Sequence, residues 1–364
     1  MSKIALTGAN GFLGWHVRAA THAEGDEFAG IPVGDAFDAD RAAALIDGSA
    51  RAIHLAGVNR GPDENVATGN VRFAEQFASA LRAAAEPPVV VVFANSTQVN
   101  NGSVYGDAKS RAAAIIAAAA EDVGAEFCDV RLPNLFGEHG QPFYNAVTAT
   151  FCHLLARGEE PEVQQDRELT LLHAQDAADL LRGTISLEEG RARERRECVS
   201  SLLGRLSEIA ALYTEGEIPD VSTAFGRDLF NTYRSYAFSR QAPIRLQPHA
   251  DARGAFFEIV RTHGGNAQSS FSTTVPGVTR GDHYHRRKVE RFTVLSGVGR
   301  ISLRRLFTDE VVSFEISGEE PGAVDIPTLW AHNITNVGSE MLYTSFWTDD
   351  IFDPQNPDTI AEVV

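Results

Sequence analysis

The sequence predicts an α/β dinucleotide-binding domain followed by an all-β domain, and three observations lead there. Near the N-terminus an apolar strand runs straight into a glycine-rich turn and a helix. Near Arg245 the pattern changes from strand–helix alternation to short alternating strands. The chain of 364 residues is long for one hydrophobic core, so two domains are expected. The boundary is placed between residues 243 and 244, giving domains 1–243 and 244–364.

Composition narrows the function classes. At 43% hydrophobic and 22% charged residues there is ample apolar material to bury. A formal net charge of −17 argues against nucleic acid and against an anionic membrane surface as partners. Cys128, Cys152 and Cys198 are widely spaced, with no Cys-x-x-Cys pair, which suits free thiols in a reducing compartment. The first strand begins at Lys3 without the charged and apolar regions of a signal peptide. No apolar run approaches the roughly 18 residues that would span a bilayer. The expectation is a soluble cytoplasmic protein.

Taken in order, Ile4-Ala5-Leu6 is a short strand, and Thr7-Gly8-Ala9-Asn10-Gly11-Phe12-Leu13-Gly14 follows at once. Strand, Gly-x-x-Gly-x-x-Gly turn and helix form the context of a dinucleotide fingerprint. Gly8 permits the tight turn, Gly11 lets backbone approach a pyrophosphate, and Gly14 lets helix and strand pack closely. The helix start at Phe12 and Leu13 supplies N–H groups and positive dipole. Asp35 lies about 20 residues past the last glycine, where an acid would accept a ribose 2′-hydroxyl. Asp38 or Asp40 is the alternative, over the adenine. Residues 52–57 form another buried strand, and Leu55, Ala56 and Gly57 let the chain pass close to a cofactor.

The run Pro88-Val-Val-Val-Val-Phe93 reads as a central parallel strand covered on both faces. At its carboxyl end stand Asn95, Ser96 and Thr97, where open α/β sheets place ligands. Tyr105 and Lys109 follow at i and i+4 on one helical face. An ammonium beside a phenol favours the phenolate, so Lys109 is expected to lower the pKa of Tyr105. Such a tyrosine donates a proton to a carbonyl oxygen while hydride arrives at carbon. The hydroxyl of Ser96 would steady that oxygen.

Past residue 187 the character changes. Residues 188–197 are a charge run expected as solvated surface, 202–213 an amphipathic helix, and 225–238 an aromatic-rich packing segment. Short strands are expected at 255–260, 269–274, 291–295, 299–303, 311–315, 323–326 and 341–347, which suggests a β-sandwich or jelly roll. Within Gly281-Asp-His-Tyr-His-Arg-Arg-Lys-Val-Glu-Arg-Phe292, His283 and His285 are two apart, so strand geometry turns both rings to one side. Glu290 after a turn and His332 downstream complete three imidazoles and one carboxylate. That set suits Zn²⁺ or a similar divalent ion.

On Thr7–Gly14, Leu55-Ala-Gly57, Ser96, Tyr105, Lys109 and Arg131-Leu-Pro-Asn134, the first half resembles the extended short-chain dehydrogenase/reductase family, whose fold is a Rossmann domain. The resemblance implies a Ser96–Tyr105–Lys109 triad, with Tyr105 and Lys109 also touching the cofactor and Pro133 and Asn134 near the nicotinamide. It implies nucleotide-sugar substrates, with Asn145 and Arg167 as candidate contacts. His173 and Asp176 match the family's late strand-to-helix region, and loop structure and capping are their expected roles. The second half, with His-x-His-x₄-Glu and Pro-x₄-His-x₃-Asn, resembles the cupin family, and by position His283, His285, Glu290 and His332 match its metal ligands. Asn59-Arg60, Pro133-Asn-Leu-Phe-Gly137 and Phe352-Asp-Pro-Gln-Asn-Pro-Asp-Thr359 extend a resemblance to the CapF-type family of bifunctional capsule-synthesis enzymes.

That resemblance implies two steps on a UDP-linked 4-keto-6-deoxy-N-acetylhexosamine. The cupin would epimerise C3, and the reductase would reduce the C4 ketone to a UDP-2-acetamido-2,6-dideoxy-talose-type product. Lys288 and Tyr284 are the candidates for the epimerase base. Gly34-Asp35 stands where the family carries a basic residue, so NADPH and NADH both stay open. A homodimer through the cupin strands is implied. The alternative is a 4-keto sugar reductase whose cupin only binds substrate or supports structure.

Overall fold

Apolar strands and alanine-rich helices alternate through the first third of the chain. In the computed structural model, which describes residues 2–252 and 254–364, they are β1 (Lys3–Thr7), α1 (Phe12–Ala23), β2 (Glu27–Ile31), α2 (Ala39–Ile46), β3 (Arg51–His54), α3 (Asp63–Ala83), β4 (Val90–Ser96), α4 (Val104–Asp122) and β5 (Glu126–Leu132). The five strands form a parallel sheet in the order β2-β1-β3-β4-β5. Residues of β4 alternate between its faces. Val91 and Phe93 pack with Ile46, Phe77, Leu81 and Ile116, whereas Val92 and Ala94 pack with Val17 and Leu181. A strand buried on both faces has no polar side, which explains the uninterrupted apolar run.

A second, three-stranded sheet continues this unit in the order β6 (Asn134–Phe136), β7 (Glu168–His173) and β8 (Arg195–Cys198). Between β6 and β7 lies α5 (Val147–Ala156), and between β7 and β8 lie α6 (Ala174–Arg182) and α7 (Leu187–Arg193). The charge run expected as solvated surface is exposed along most of its length, and it is also structured. Ser186 and Glu189 form a reciprocal capping box at the start of α7, and β8 pairs antiparallel with β7. Its charges face outward while Gly190 packs beneath Leu180.

Two compact units divide the contacts of the chain. The first comprises Met1–Phe136, Gly140–Val147 and Arg167–Cys198; the second comprises Gly137–His139, Thr148–Asp166 and Val199–Val364. The second unit contains α8 (Val199–Thr214), α9 (Ala224–Gln241) and the strands β9 (Ile244–Arg245), β10 (His249–Asp251), β11 (Gly254–Phe256), β12 (Gln268–Thr274), β13 (Thr279–Tyr284), β14 (Glu290–Ser296), β15 (Val298–Arg305), β16 (Val311–Ser317), β17 (Gly322–Ile326), β18 (Trp330–Asn336), β19 (Leu342–Thr348) and β20 (Ile360–Ala361). The strand expected over 255–260 stops at Phe256, and Glu258 turns instead to the Arg261 guanidinium at 2.7 Å.

Two five-stranded sheets, β12-β19-β14-β17-β9 and β16-β15-β18-β13-β20, enclose one apolar core. Phe292, Val294, Val324 and Leu342 come from the first sheet, and Ile301, Leu303 and Ile334 from the second. Phe238 of α9 enters the same cluster. Arg234, also on α9, is fully buried and donates to Ile326 O at 2.9 Å and to Asn231 Oδ1. The buried Arg291 guanidinium grips Asp325 at 2.6 and 2.9 Å and reaches Gly216 O at 2.8 Å. Buried cations paired in this way keep the helical segment 216–241 bound to the sandwich.

Candidate active sites

In the first unit the turn after β1 is built around a hydroxyl. Thr7 is fully buried, its Oγ1 accepts N–H from Leu55 and Ala56 at 3.1 Å each, and it meets His54 Nδ1 at 3.0 Å. This draws the end of β3 against the glycine turn. Burial, reinforced by the Lys109 charge, lowers the pKa of His54 to about 3, so the ring is neutral. Two glycines leave no room for a side chain. A Cβ at Gly8, where φ is +69°, would lie 2.9 Å from Ala56 N, and one at Gly14 would lie 2.1 Å from Gly8 O. Helix α1 opens after Gly11 with no side-chain cap, leaving its first N–H groups for an anion. Gly8, Asn10, Gly11, Phe12, Leu13, Gly14, Leu55, Ala56 and Gly57 thus converge on one cradle that fits a dinucleotide pyrophosphate.

Ser96 ends β4, and Tyr105 and Lys109 lie one turn apart on α4. The Ser96 hydroxyl lies near enough to the Tyr105 phenol to favour its ionised form. Lys109 is buried beneath them, donating to Ala94 O at 2.7 Å, with its ammonium 4.0 Å from the Phe93 ring centroid. Burial lowers its pKa to about 7, with Asp129 opposing the shift. The phenol differs from the sequence expectation. Burial raises the Tyr105 pKa, and the Ser96 hydroxyl offsets this in part. The Lys109 ammonium is engaged by the strand carbonyl of Ala94, and burial governs the phenol. Asn95, named from the sequence at this strand end, has a supporting part: it donates to Asp129 Oδ1 at 2.7 Å and accepts from Ser96 N at 2.9 Å, which holds Ser96 in place.

Asp35 lies in a short 3₁₀ turn after β2, exposed and ion-paired to Arg72 of α3 at 2.7 Å. Asp38 caps α2 through Arg41 N, a structural role. Asn145 donates to Asn59 O at 2.9 Å, and Arg60 donates to Phe143 O and lies over the Tyr144 ring, so these two loops are joined. Asn134 is exposed at the start of β6 beside the half-buried Pro133. Arg167 is exposed, and Asp176 is ion-paired to Arg193 at 2.7 Å.

In the second unit a bulge sets the geometry. Gly281 pairs with Asn333, but His283 pairs with His332, so Asp282 is an extra residue in β13. Gly281 has φ +107°, and a Cβ there would lie 2.9 Å from both His332 O and Asn333 Cα. His283, His332 and His285, which follows the end of β13, bring their rings within 4.5–5.2 Å of one another. Glu290 opens β14 on the opposite sheet and points its carboxylate at them. Its Oε2 lies 2.9 Å from His285 Nε2, 3.1 Å from His332 Nε2 and 3.9 Å from His283 Nε2. The other ring nitrogens are committed, His285 Nδ1 to Asp358 O at 2.6 Å and His332 Nδ1 to Trp330 O at 3.1 Å. A carbonyl only accepts, so both Nδ1 atoms carry hydrogen and both Nε2 lone pairs turn inward. Donor atoms around tetrahedral zinc lie roughly 3.3 Å apart, given bonds of about 2.0–2.1 Å. The four residues fit such an ion.

Electrostatics agree with a site built for positive charge. Burial alone would raise Glu290, but His285 and His332 hold its carboxyl well below the usual range. Burial and the neighbouring rings lower the pKa of His283 to about 4. His285 is raised, because Glu290 outweighs the effect of burial. A pocket of about 270 Å³ opens beside the cluster, lined among others by Gln268, His283, Lys288, Phe346, Asp350 and Thr359. The Lys288 ammonium donates to Pro357 O at 2.7 Å and Thr359 Oγ1 at 3.3 Å. Tyr284 is fully buried on the other face of β13 and does not line this pocket.

Residues 4–192 match the NAD dependent epimerase/dehydratase family. The chain belongs to that family. Residues 249–360 match the polysaccharide biosynthesis C-terminal domain, so the chain is an NAD(P)-dependent enzyme with a second, β-rich domain. A Pseudomonas aeruginosa protein named UDP-2-acetamido-2,6-beta-L-arabino-hexul-4-ose reductase is 31% identical, with 99% of this chain and 98% of that protein covered. The crystal structure of the capsular polysaccharide assembling protein CapF from Staphylococcus aureus is similar over 100% of both chains, at 30% identity and a TM-score of 0.62. The spore coat polysaccharide biosynthesis protein SpsL of Bacillus subtilis is 29% identical over 31% of this chain and 82% of its own length. The epimerase-family Rossmann unit and the CapF-like β unit anticipated in the sequence are both present. Among the described residues, no helix is long and apolar enough to cross a membrane.

Proposed function

We propose that the chain is a bifunctional nucleotide-sugar enzyme acting on a UDP-4-keto-6-deoxy-N-acetylhexosamine, with residues 1–243 as reductase and 244–364 as cupin. One observation carries the reading: a largely buried three-histidine, one-glutamate cluster stands beside a pocket in a chain that also holds a Ser96–Tyr105–Lys109 set beside a dinucleotide cradle. The relative named for reduction of a UDP-linked 4-ulose supports the substrate class.

In the cupin, proton chemistry at C3 follows from the neighbouring ketone, which acidifies that hydrogen. His283, His285, Glu290 and His332 would hold Zn²⁺ or a similar divalent ion, and a bound ion supplies Lewis-acid charge beside the pocket. Lys288 lies at the pocket wall and is assigned to the C3 proton, which leaves one face and returns to the other. In the reductase, NADPH or NADH supplies hydride to C4 when bound. Tyr105 donates its phenolic proton to the C4 oxygen, Ser96 orients that oxygen, and Lys109 holds the phenol's surroundings and the cofactor ribose. Pro133 and Asn134 border the nicotinamide, and Asn145 and Arg167 contact the sugar nucleotide. The product is a UDP-2-acetamido-2,6-dideoxy-talose-type sugar for surface polysaccharide, made in the cytoplasm by a dimer associating through cupin strands.

Incubation of the metal-loaded chain with the 4-keto sugar in deuterated water, without nicotinamide, tests the division of labour. Deuterium is expected at C3. Its absence, with NADPH-dependent reduction intact, would establish the second reading, a reductase with a structural or substrate-binding cupin. The name of the Pseudomonas relative, which mentions reduction alone, favours that alternative.

A further inference from the structure

The loop between His285 and Glu290 carries two of the cluster's four residues, and acids far along the chain satisfy its backbone. Arg286 N donates to Asp358 Oδ1 at 2.9 Å, and Arg287 N and Lys288 N donate to Asp358 Oδ2 at 2.8 Å each. Val289 N donates to Asp349 Oδ1 at 2.8 Å. Four successive N–H groups of a half-buried loop thus end on two carboxylates. The same Asp358 accepts His285 Nδ1–H on its backbone oxygen at 2.6 Å, and its neighbours Pro357 and Thr359 hold the Lys288 ammonium. Asp358 adopts φ +42°, a left-handed conformation that aspartate tolerates but must be held in. The strand that follows, β20, pairs Ala361 with His283.

We infer that Asp358 is a positioning residue of the metal site, holding the 285–290 ligand loop with its carboxylate and the His285 tautomer with its carbonyl. The inference rests on the metal reading proposed above. The carboxylate fixes the loop, the fixed loop places the Asp358 carbonyl against Nδ1, and that bond presents the Nε2 lone pair. Groups that orient a ligating imidazole in this way raise metal affinity without touching the ion. Asp349 secures the loop's far end, next to Glu290.

Zinc and cobalt binding by the full-length chain tests it, with wild type compared against Asp358→Ala and Asp358→Asn. Folding is followed by circular dichroism, affinity by competition with a chromogenic chelator, and coordination by the visible absorption of the cobalt-loaded protein. Asp358→Ala is expected to lose about 10–100-fold in affinity, the usual effect of removing such a partner, and to shift the cobalt bands. Asp358→Asn, whose amide oxygen still accepts backbone N–H, is expected to recover part of the loss. Affinity and cobalt spectra indistinguishable from wild type in the folded variants overturn the inference. If Asp358→Ala does not fold, Asp358→Asn is judged by the same two readouts. A wild-type chain that takes up neither metal overturns the metal reading itself, which is a different result.

Discussion

His283 stands directly opposite His332 across β13 and β18 because Asp282 is an extra residue in the ladder between them. If Asp282 were paired instead of bulged, the register from Gly281–Asn333 would place it opposite His332 and send the His283 ring to the other face of the sheet. Deleting Asp282 removes the extra residue and leaves His283 next to Gly281, still opposite His332 in a regular ladder, so metal affinity is expected to stay within about 10-fold of wild type, short of a lost partner. Metal titration of the purified variant checks this. Gly281→Val forces a side chain against His332 O and is expected to cost about 1–3 kcal/mol, read from chemical denaturation of the β unit.

Tyr105→Phe keeps the ring but removes the proton. Reduction is expected to fall about 10²–10⁴-fold, the usual contribution of a general acid. Deuterium incorporation at C3 is expected to continue, since the pocket beside His283 contains none of Ser96, Tyr105 or Lys109. Loss of both activities would contradict separate sites.

Lys109 links the reductase site to pH. Its pKa is lowered to about 7 from an ordinary 10.5, with burial the largest cause. Between those values the unfolded chain holds a proton that the folded chain has released, so this group makes stability rise with pH. The burial penalty is fully present below about pH 7 and fades towards about pH 10. Lys109→Met should therefore show its most favourable change in melting temperature below neutrality, with that advantage shrinking as pH rises. A change independent of pH would show that the ammonium is not held down by burial.

Cofactor choice turns on the Arg72–Asp35 pair, 2.7 Å apart and exposed on both sides. A 2′-phosphate would need Arg72 released from Asp35, whereas a 2′-hydroxyl suits the carboxylate. Asp35→Asn is expected to move preference towards NADPH, and Arg72→Ala towards NADH, each by up to about fivefold, the worth of an exposed ion pair. The ratio of kcat/KM for the two cofactors measures it.

Much of this was legible because its signals are local. The glycine turn, the apolar β4 and the Tyr105–Lys109 spacing each lie within one turn or strand, as does His283-x-His285. The edge strand β2 was obscure because its pattern is exposed on three of five residues, Glu27, Phe28 and Gly30. Contacts made over long separations left no pattern to read. Arg72 meets Asp35 across 37 residues, and Asp358 meets the ligand loop across about seventy. The bulge at Asp282 was equally hidden, since two histidines two apart satisfy a strand whether or not the ladder slips. The 188–197 charge run is solvated as its composition suggests, but charge alone does not distinguish a loop from a capped helix with one solvated face.

The dependence of His285 on Asp358 also has a consequence in time. A ribosome makes all four cluster residues, 283 to 332, before it reaches residue 358. The amides of 286–288 are therefore solvated in the nascent chain, and His285 acquires its fixed tautomer only once synthesis has passed Asp358 and that segment has folded back.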